Sequence, residues 1–146
     1  MTMKKKDVFI SIIGTQTVNG ESETSELYTN GVYYKDKEAY YISYEESAVS
    51  GFQGCRTVVK VSGEQKVIMM RSGASQSHLI MENKRRCVGE YGLDGRSFSI
   101  GVTTEQIQNE LEDNGGKLFF SYQLDLNAQH LSQNEIIITV RDRSVR

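Results

Sequence analysis

The sequence contains no proline and has few of the residues that usually build metal centres or nucleophilic sites. Its only cysteines are Cys55 and Cys87, and its only histidines are His78 and His130. The cysteines form no CxxC unit, and neither histidine stands at a zinc-ligand spacing from them. We therefore expect no metal, no cofactor and no catalytic group that can be named, and we interpret both cysteines as small apolar residues in a reducing cytoplasm.

An excess of charge of either sign is also missing. The 17 basic and 19 acidic side chains give a formal net charge of −2, so nothing attracts the protein generally to nucleic acid or to an anionic membrane. No apolar run is long enough to cross a membrane, and the run after the basic start is interrupted at Ser11 and Gly14. We expect a cytoplasmic monomer or homodimer that binds neither nucleic acid nor a membrane.

What the sequence does contain is alternation with a period of two. Between residues 117 and 142, large apolar side chains take every second position from Leu118 to Leu126 and again from Ile136 to Val140. Successive side chains of a strand point to opposite faces, so this pattern is typical of strands with one face on a core. It predicts an antiparallel hairpin with a loop of about seven residues around His130.

Turn signals divide the rest of the chain. The pairs Asn19-Gly20 and Asn30-Gly31 predict hairpin turns, because both residue types tolerate positive φ. The polar segment 45–54 predicts a loop, and we interpret Glu45 and Glu46 as solvated charges at a strand end. The thirteen glycines supply turns in place of proline. The predicted strands are 8–18, 22–29, 32–35, 38–44, 56–61, 66–71, 75–81, 86–91 and 98–102.

The segment 103–112 is compatible with two structures. Thr103 and Gln106 form a capping box, and Ile107 and Leu111 have the spacing of one helix face. The same segment also alternates as a strand would, and a turn at Asp113 would lead back into residue 117. The residues alone favour neither reading.

The number and spacing of these segments indicate an all-β fold. About nine or ten short strands at near-regular spacing are typical of a sandwich or a barrel, not of alternating strands and helices. With 146 residues the chain suits a single domain over its whole length. A closed barrel would leave no exposed sheet edge.

Several short motifs recur in a fixed order along the chain. In that order and spacing they resemble the YwiB-like bacterial proteins, a family of uncharacterised function, and the resemblance covers nearly the whole chain. It implies a single antiparallel β-barrel of calycin-like, lipocalin type, with about eight to ten strands and at most one short helix, and it favours a strand at 103–112. It implies architecture and not activity. The motifs are Thr57-Val58-Val59-Lys60-Val61, Arg71-Ser72-Gly73, Tyr91-Gly92, Thr103-Thr104, Gly116-Lys117, Tyr122-Gln123-Leu124 and Asn134-Glu135-Ile136.

A barrel of this size either fills its interior with side chains or leaves room for one small ligand, and both outcomes stay open. Arg71 shares a strand face with Val67 and Met69. If those two point inward, Arg71 stands near a barrel mouth, where its guanidinium would suit a carboxylate or a phosphate. In the alternative, the strand ends at Met70 and Arg71 is solvated.

Five further residues are candidates for ligand binding. Tyr40, Tyr44 and Tyr122 each join an apolar ring to a hydroxyl, which suits a pocket wall or a buried hydrogen bond. Lys60 lies on the face opposite to its apolar neighbours, and only the family resemblance makes it a candidate. His78 shares a strand face with Gln76 and Ile80, a pattern that is compatible with a solvent-facing side chain.

These residues favour a binding protein over a conventional enzyme. We expect a small, partly apolar ligand with an anionic or polar end near Arg71. Two alternatives stay open: a barrel enzyme of isomerase or hydrolase type that uses Arg71 with a tyrosine or His78, and an interaction or dimerisation module with a filled barrel.

Overall fold

The computed structural model describes residues 3–50, 52–93 and 95–143. Gly51 of the predicted loop and Asp94, which precedes the predicted strand 98–102, lie outside the described residues. Within the described ranges the chain forms ten strands and a single turn of 3-10 helix, Ala48–Ser50. The strands are β1 (Lys6–Val18), β2 (Glu21–Asp36), β3 (Ala39–Glu45), β4 (Cys55–Ser62), β5 (Lys66–Gly73), β6 (Gln76–Glu82), β7 (Arg86–Leu93), β8 (Arg96–Glu112), β9 (Gly115–Leu126) and β10 (Gln129–Asp142).

The ten strands form one closed antiparallel barrel. Each strand pairs with its neighbours in sequence, and β1 pairs with β10 to close the sheet. The predicted all-β antiparallel barrel is therefore confirmed. We call the end that carries the loop at 46–54 and the turns at 19–20 and 127–128 the upper end; the opposite end is the lower end. Among the described residues no helix is both long and apolar enough to span a membrane.

The alternation in β9 and β10 produces the inner face that the sequence predicts. Leu118 and Phe120 are fully buried, and so is Ile138, the partner of Leu118 in β10; Val140 is buried on the same face. Leu126 departs from the prediction, since 39% of it is exposed. It is the last residue of β9, beyond the part of the strand that covers the core.

The predicted seven-residue loop around His130 is wrong. The turn between β9 and β10 consists of Asn127 and Ala128 alone, with φ angles of 51° and 69°, and His130 already pairs with Asp125. The Asp125 carboxylate accepts a hydrogen bond of 2.9 Å from the backbone N–H of Ala128. Alanine seldom adopts positive φ, so these residue types gave no sign of a two-residue turn.

The predicted turn at Asn30-Gly31 is also wrong, whereas Asn19 and Gly20 do form the turn between β1 and β2 with φ angles of 51° and 78°. Gly31 lies inside β2 and pairs with Val8 on one side and Tyr44 on the other. A Cβ at this position would overlap the carbonyl oxygen of Ser43. The glycine is required here because neighbouring strands approach closely, not because the chain reverses.

The segment 103–112 is a strand and belongs to β8. The register with β9 shifts between Thr104 and Gln106, so Glu105 is the extra residue of a β-bulge. After the bulge, Ile107 and Leu111 are buried on the inner face. The strand that the family resemblance favoured is confirmed.

The lower half of the barrel is filled by side chains. Tyr33, Ile42, Met81, Leu118 and Phe120 are the largest of the fully buried side chains. Protein interiors are normally packed in this way. The packed side chains close the barrel below its upper half.

Candidate functional site

A cavity of about 550 Å³ opens at the upper end of the barrel. Sites for small molecules usually have volumes of about 300 to 1,000 Å³, so one small ligand fits. The cavity lies between the inner faces of the strands and the loop residues Glu46, Ala48, Val49 and Phe52. Its apolar wall includes Ile12, Leu27, Met69, Leu79, Leu124 and Ile136.

A row of polar side chains crosses the inner face of five consecutive strands at this level. Tyr44, Thr57, Arg71, Ser77 and Tyr91 are successive pairing partners from β3 to β7. Directly paired residues of an antiparallel sheet point to the same face with their Cβ atoms about 5 Å apart. The strand register therefore gathers residues that are distant in sequence into one band.

Arg71 lies within this band and forms an ion pair with the chain's own Glu46. Its Nη2 lies 3.2 Å from Oε2 of Glu46, and the two side chains are 11% and 3% exposed. Thr57 donates a hydrogen bond of 2.6 Å to the same carboxylate oxygen. Arg71 lies at the barrel mouth and is not solvated, because β5 continues to Gly73 and the side chain points inward. Its role in ligand binding stays a prediction.

The interpretation of Glu46 as a solvated charge is wrong, although it holds for the residue beside it. Glu45 is 80% exposed and lies 3.7 Å from Arg56 on the outer surface. Glu46 is buried because Ile42 and Tyr44 point inward and the alternation continues past the end of β3. That alternation is the signal in the sequence that would have placed Glu46 inside.

The loop after β3 covers the mouth from above. The guanidinium carbon of Arg71 lies 3.6 Å from the ring centroid of Phe52, a short cation–π contact. Val49 and Phe52 of this loop line the cavity. Arg71 is therefore held by a carboxylate at one edge and an aromatic ring over its face.

Two of the candidate tyrosines stand in the same interior. Burial raises the pKa of Tyr122 to about 12, with Arg71 acting in the opposite direction and Tyr91 adding to the rise. Burial also raises the pKa of Tyr44, helped by the negative charge of Glu46 and opposed by Arg71. Both hydroxyls stay protonated at neutral pH and serve as uncharged hydrogen-bonding groups.

The other candidate residues lie elsewhere. Tyr40 is at the lower end, where its hydroxyl donates a hydrogen bond of 2.6 Å to Asp113. Lys60 is on the outer face, with its ammonium 5.8 Å from the ring centroid of Tyr41. The structure thus brings Arg71, Tyr44 and Tyr122 together, and it separates Tyr40 and Lys60 from them.

His78 is exposed on the outer face of β6. It lines a second groove of about 600 Å³ on the upper rim, which Arg71 also reaches from inside. An enzyme that used Arg71 with His78 would have to work in this rim groove and not in the barrel cavity.

Within the described ranges no three histidine, cysteine, aspartate or glutamate side chains are grouped so that they could hold a metal ion. Cys55 and Cys87 are both free thiols.

Comparison with known proteins gives the same architecture. The chain is 27% identical over 121 residues to a protein of Bacillus subtilis (strain 168) described as "Uncharacterized beta-barrel protein YwiB", with 83% of each chain covered. The crystal structure of ywiB protein from Bacillus subtilis superposes with a TM-score of 0.83 at 24% identity, covering 96% of this chain and 94% of that one. At that identity the structural match shows the fold alone.

The family follows from the extent of the sequence match. A family model described as "Domain of unknown function (DUF1934)" matches residues 10–138. The expected membership among YwiB-like proteins is confirmed, while the likeness to calycins stays a prediction. Because that match spans most of the barrel, from β1 to β10, the chain belongs to the DUF1934 family of β-barrel proteins.

Proposed function

We propose that the protein binds one small, partly apolar molecule in the upper cavity of the barrel, with the polar end of that molecule near Arg71. The observation that carries the proposal is a single cavity of about 550 Å³ in which an apolar wall meets convergent polar side chains. Binding sites for small molecules commonly combine these two features. The two free thiols support the further proposal that the protein works in the cytoplasm.

The two parts of the lining have different tasks. Apolar walls contribute about 25 cal/mol for each Å² of ligand surface that they remove from water. Polar groups contribute less to affinity but fix the orientation of the ligand. Because the lower half of the barrel is packed, the ligand has to approach from the upper end, past Phe52.

The proposal is tested by blocking the cavity. Gly14 lines it, and a Cβ at this position would meet only Ile136 and Ser25, at 3.6 and 3.7 Å. A Gly14→Phe variant therefore places a ring in the mouth without a backbone clash. Ser11→Leu is the matched control, because Ser11 is on the same strand and points to the outer surface.

The measurement is a thermal-shift screen with fatty acids, fatty amides, aromatic acids and nucleotides. A ligand that binds only the folded state at 100 times its Kd stabilises that state by about 2.7 kcal/mol. We expect at least one compound class to raise the melting temperature of the wild type and the Ser11→Leu variant but not of Gly14→Phe. A screen with no shift in the wild type, or with equal shifts in all three proteins, would contradict the proposal.

A further inference from the structure

We infer that the polar end of the ligand is uncharged, such as an amide, a ketone or an alcohol, and that Glu46 is the residue that determines this. The inference rests on the proposed function and narrows the anionic or polar end expected from the sequence to an uncharged one.

The first step is the charge of the site. Arg71 is the cation of the mouth, and Glu46 compensates it at 3.2 Å with both side chains almost fully buried. A second carboxylate beside Arg71 would lie close to Glu46 and be repelled by it. An ammonium group beside Glu46 would in turn be repelled by Arg71. Glu23 also lines the cavity, but it is exposed, so water screens its charge. The buried pair itself is neutral and favours neither sign of ligand charge.

The second step is that the pair is held in place. Thr57 donates to Glu46 at 2.6 Å, and the ring of Phe52 lies over the guanidinium of Arg71 at 3.6 Å. If an anionic ligand took Glu46's place beside Arg71, Glu46 would keep the hydrogen bond from Thr57 but lose the cation that compensates its buried charge. Leaving one partner of a buried pair uncompensated is strongly unfavourable.

The third step is what remains for the ligand to bind. Tyr91, Tyr122 and Asn134 line the same cavity and carry uncharged groups that can donate or accept hydrogen bonds. Tyr122 stays protonated far above neutral pH because it is buried. These groups suit a carbonyl, amide or hydroxyl in a surrounding of low dielectric.

Three probes of about the same length, each with eight carbon atoms in all, separate the alternatives: octanamide, octanoate and octylammonium, each titrated calorimetrically into the full chain at pH 7. We expect the wild type to bind octanamide at least tenfold more tightly than either ion, a difference of about 1.4 kcal/mol. This comparison needs no substitution, so it does not depend on how well any variant folds.

A Glu46→Gln variant tests the residue itself. It removes the compensating charge and leaves Arg71 free to pair with a ligand, so we expect the preference to reverse in favour of octanoate by about tenfold. Glu45→Gln is the matched control, since this neighbouring carboxylate is 80% exposed on the outer face. It should keep the preference of the wild type. In Glu46→Gln/Arg71→Met the buried part of the site carries no charge, and the preference should return to octanamide.

The outcomes separate this inference from the proposed function. A wild type that binds octanoate as tightly as octanamide, or a Glu46→Gln variant with unchanged preference, would overturn the inference and leave the binding function standing. If none of the three probes binds and the thermal-shift screen is also empty, both fail.

Discussion

At the scale of single residues, the buried pair of Arg71 and Glu46 is the most informative feature of the molecule. Replacing a whole buried ion pair with apolar residues often costs a protein little, but removing one partner leaves an isolated charge inside. The pair is therefore better evidence for a functional site than for a contribution to the stability of the fold. Its position in the upper cavity of the barrel agrees with that interpretation.

Removal of the arginine alone should destabilise the fold. We expect Arg71→Ala to lower the free energy of unfolding by about 3 to 5 kcal/mol, because Glu46 would stay buried without the cation that compensates its charge. The measurement is urea-induced unfolding at pH 7. Arg56→Ala is the control: Arg56 is 50% exposed and pairs with the exposed Glu45, so its loss should cost less than about 1 kcal/mol. Equal losses in the two variants would show that the interior pair is not isolated from water.

Half of this pair could be predicted from the sequence. The alternation of Val67 and Met69 put Arg71 on an inner face, and the structure agrees. Glu46 was missed because a carboxylate at the end of a predicted strand is usually solvated. Its partner is 25 positions away in sequence and is brought near only by the register of β3, β4 and β5.

At the scale of strands and turns, the same residue pair, Asn-Gly, forms a turn in one place and part of a strand in another. Asn19-Gly20 reverses the chain, while Asn30-Gly31 continues through β2. The difference is that Gly31 has pairing partners on both sides, supplied by β1 and β3. An Asn-Gly pair therefore predicts a turn only where the segment is not paired with a neighbouring strand on each side.

Gly31 should be intolerant of any side chain. We expect Gly31→Ala to destabilise the barrel by about 1 to 3 kcal/mol, since the new methyl group would overlap Ser43 and Ile10. Gly14→Ala, on the neighbouring strand, is the control, because its Cβ would have ordinary contacts at 3.6 Å or more. Thermal unfolding of the two variants measures the difference, and similar melting temperatures would contradict the close approach of β2 and β3.

At the scale of the whole molecule, the barrel is packed at one end and open at the other. Composition and alternation were sufficient to predict an all-β fold with about the right number of strands, and the family resemblance implied the antiparallel barrel. They could not predict which half is hollow, because interior volume depends on how inward side chains from all ten strands meet. The large residues Tyr33 and Phe120 lie in the filled lower half, whereas the lining of the upper half includes Gly14, Ser25 and Asn134 among its apolar residues.

The buried tyrosines should make the fold sensitive to alkali. Tyr122 has a pKa of about 12 in the folded protein against 10.0 ordinarily, and burial also raises the pKa of Tyr33 and Tyr44. Below pH 10 the phenols are protonated in both states, so their contribution is fully present. As the pH rises above 10 they ionise first in the unfolded chain, and stability falls.

The ionisation of Tyr122 alone should lower the free energy of unfolding by about 1.4 kcal/mol at pH 11. Urea unfolding of the wild type and of Tyr122→Phe between pH 8 and 11 measures this loss. We expect the free energies of unfolding of the two proteins to differ by a constant amount up to about pH 9. Above pH 10 the free energy of unfolding should fall less in the variant than in the wild type. Parallel curves over the whole range would mean that Tyr122 is not buried in the folded state.

The central claim is that the upper cavity of the barrel holds a small molecule, and native mass spectrometry of the protein purified from its own host tests it most directly. We expect an added mass on the wild type and on Ser11→Leu that is absent from Gly14→Phe, because Gly14 lines the cavity and Ser11 does not. The released molecule should be partly apolar and uncharged at its polar end. A wild-type mass equal to that of the polypeptide, or an added mass that survives in Gly14→Phe, would contradict the account.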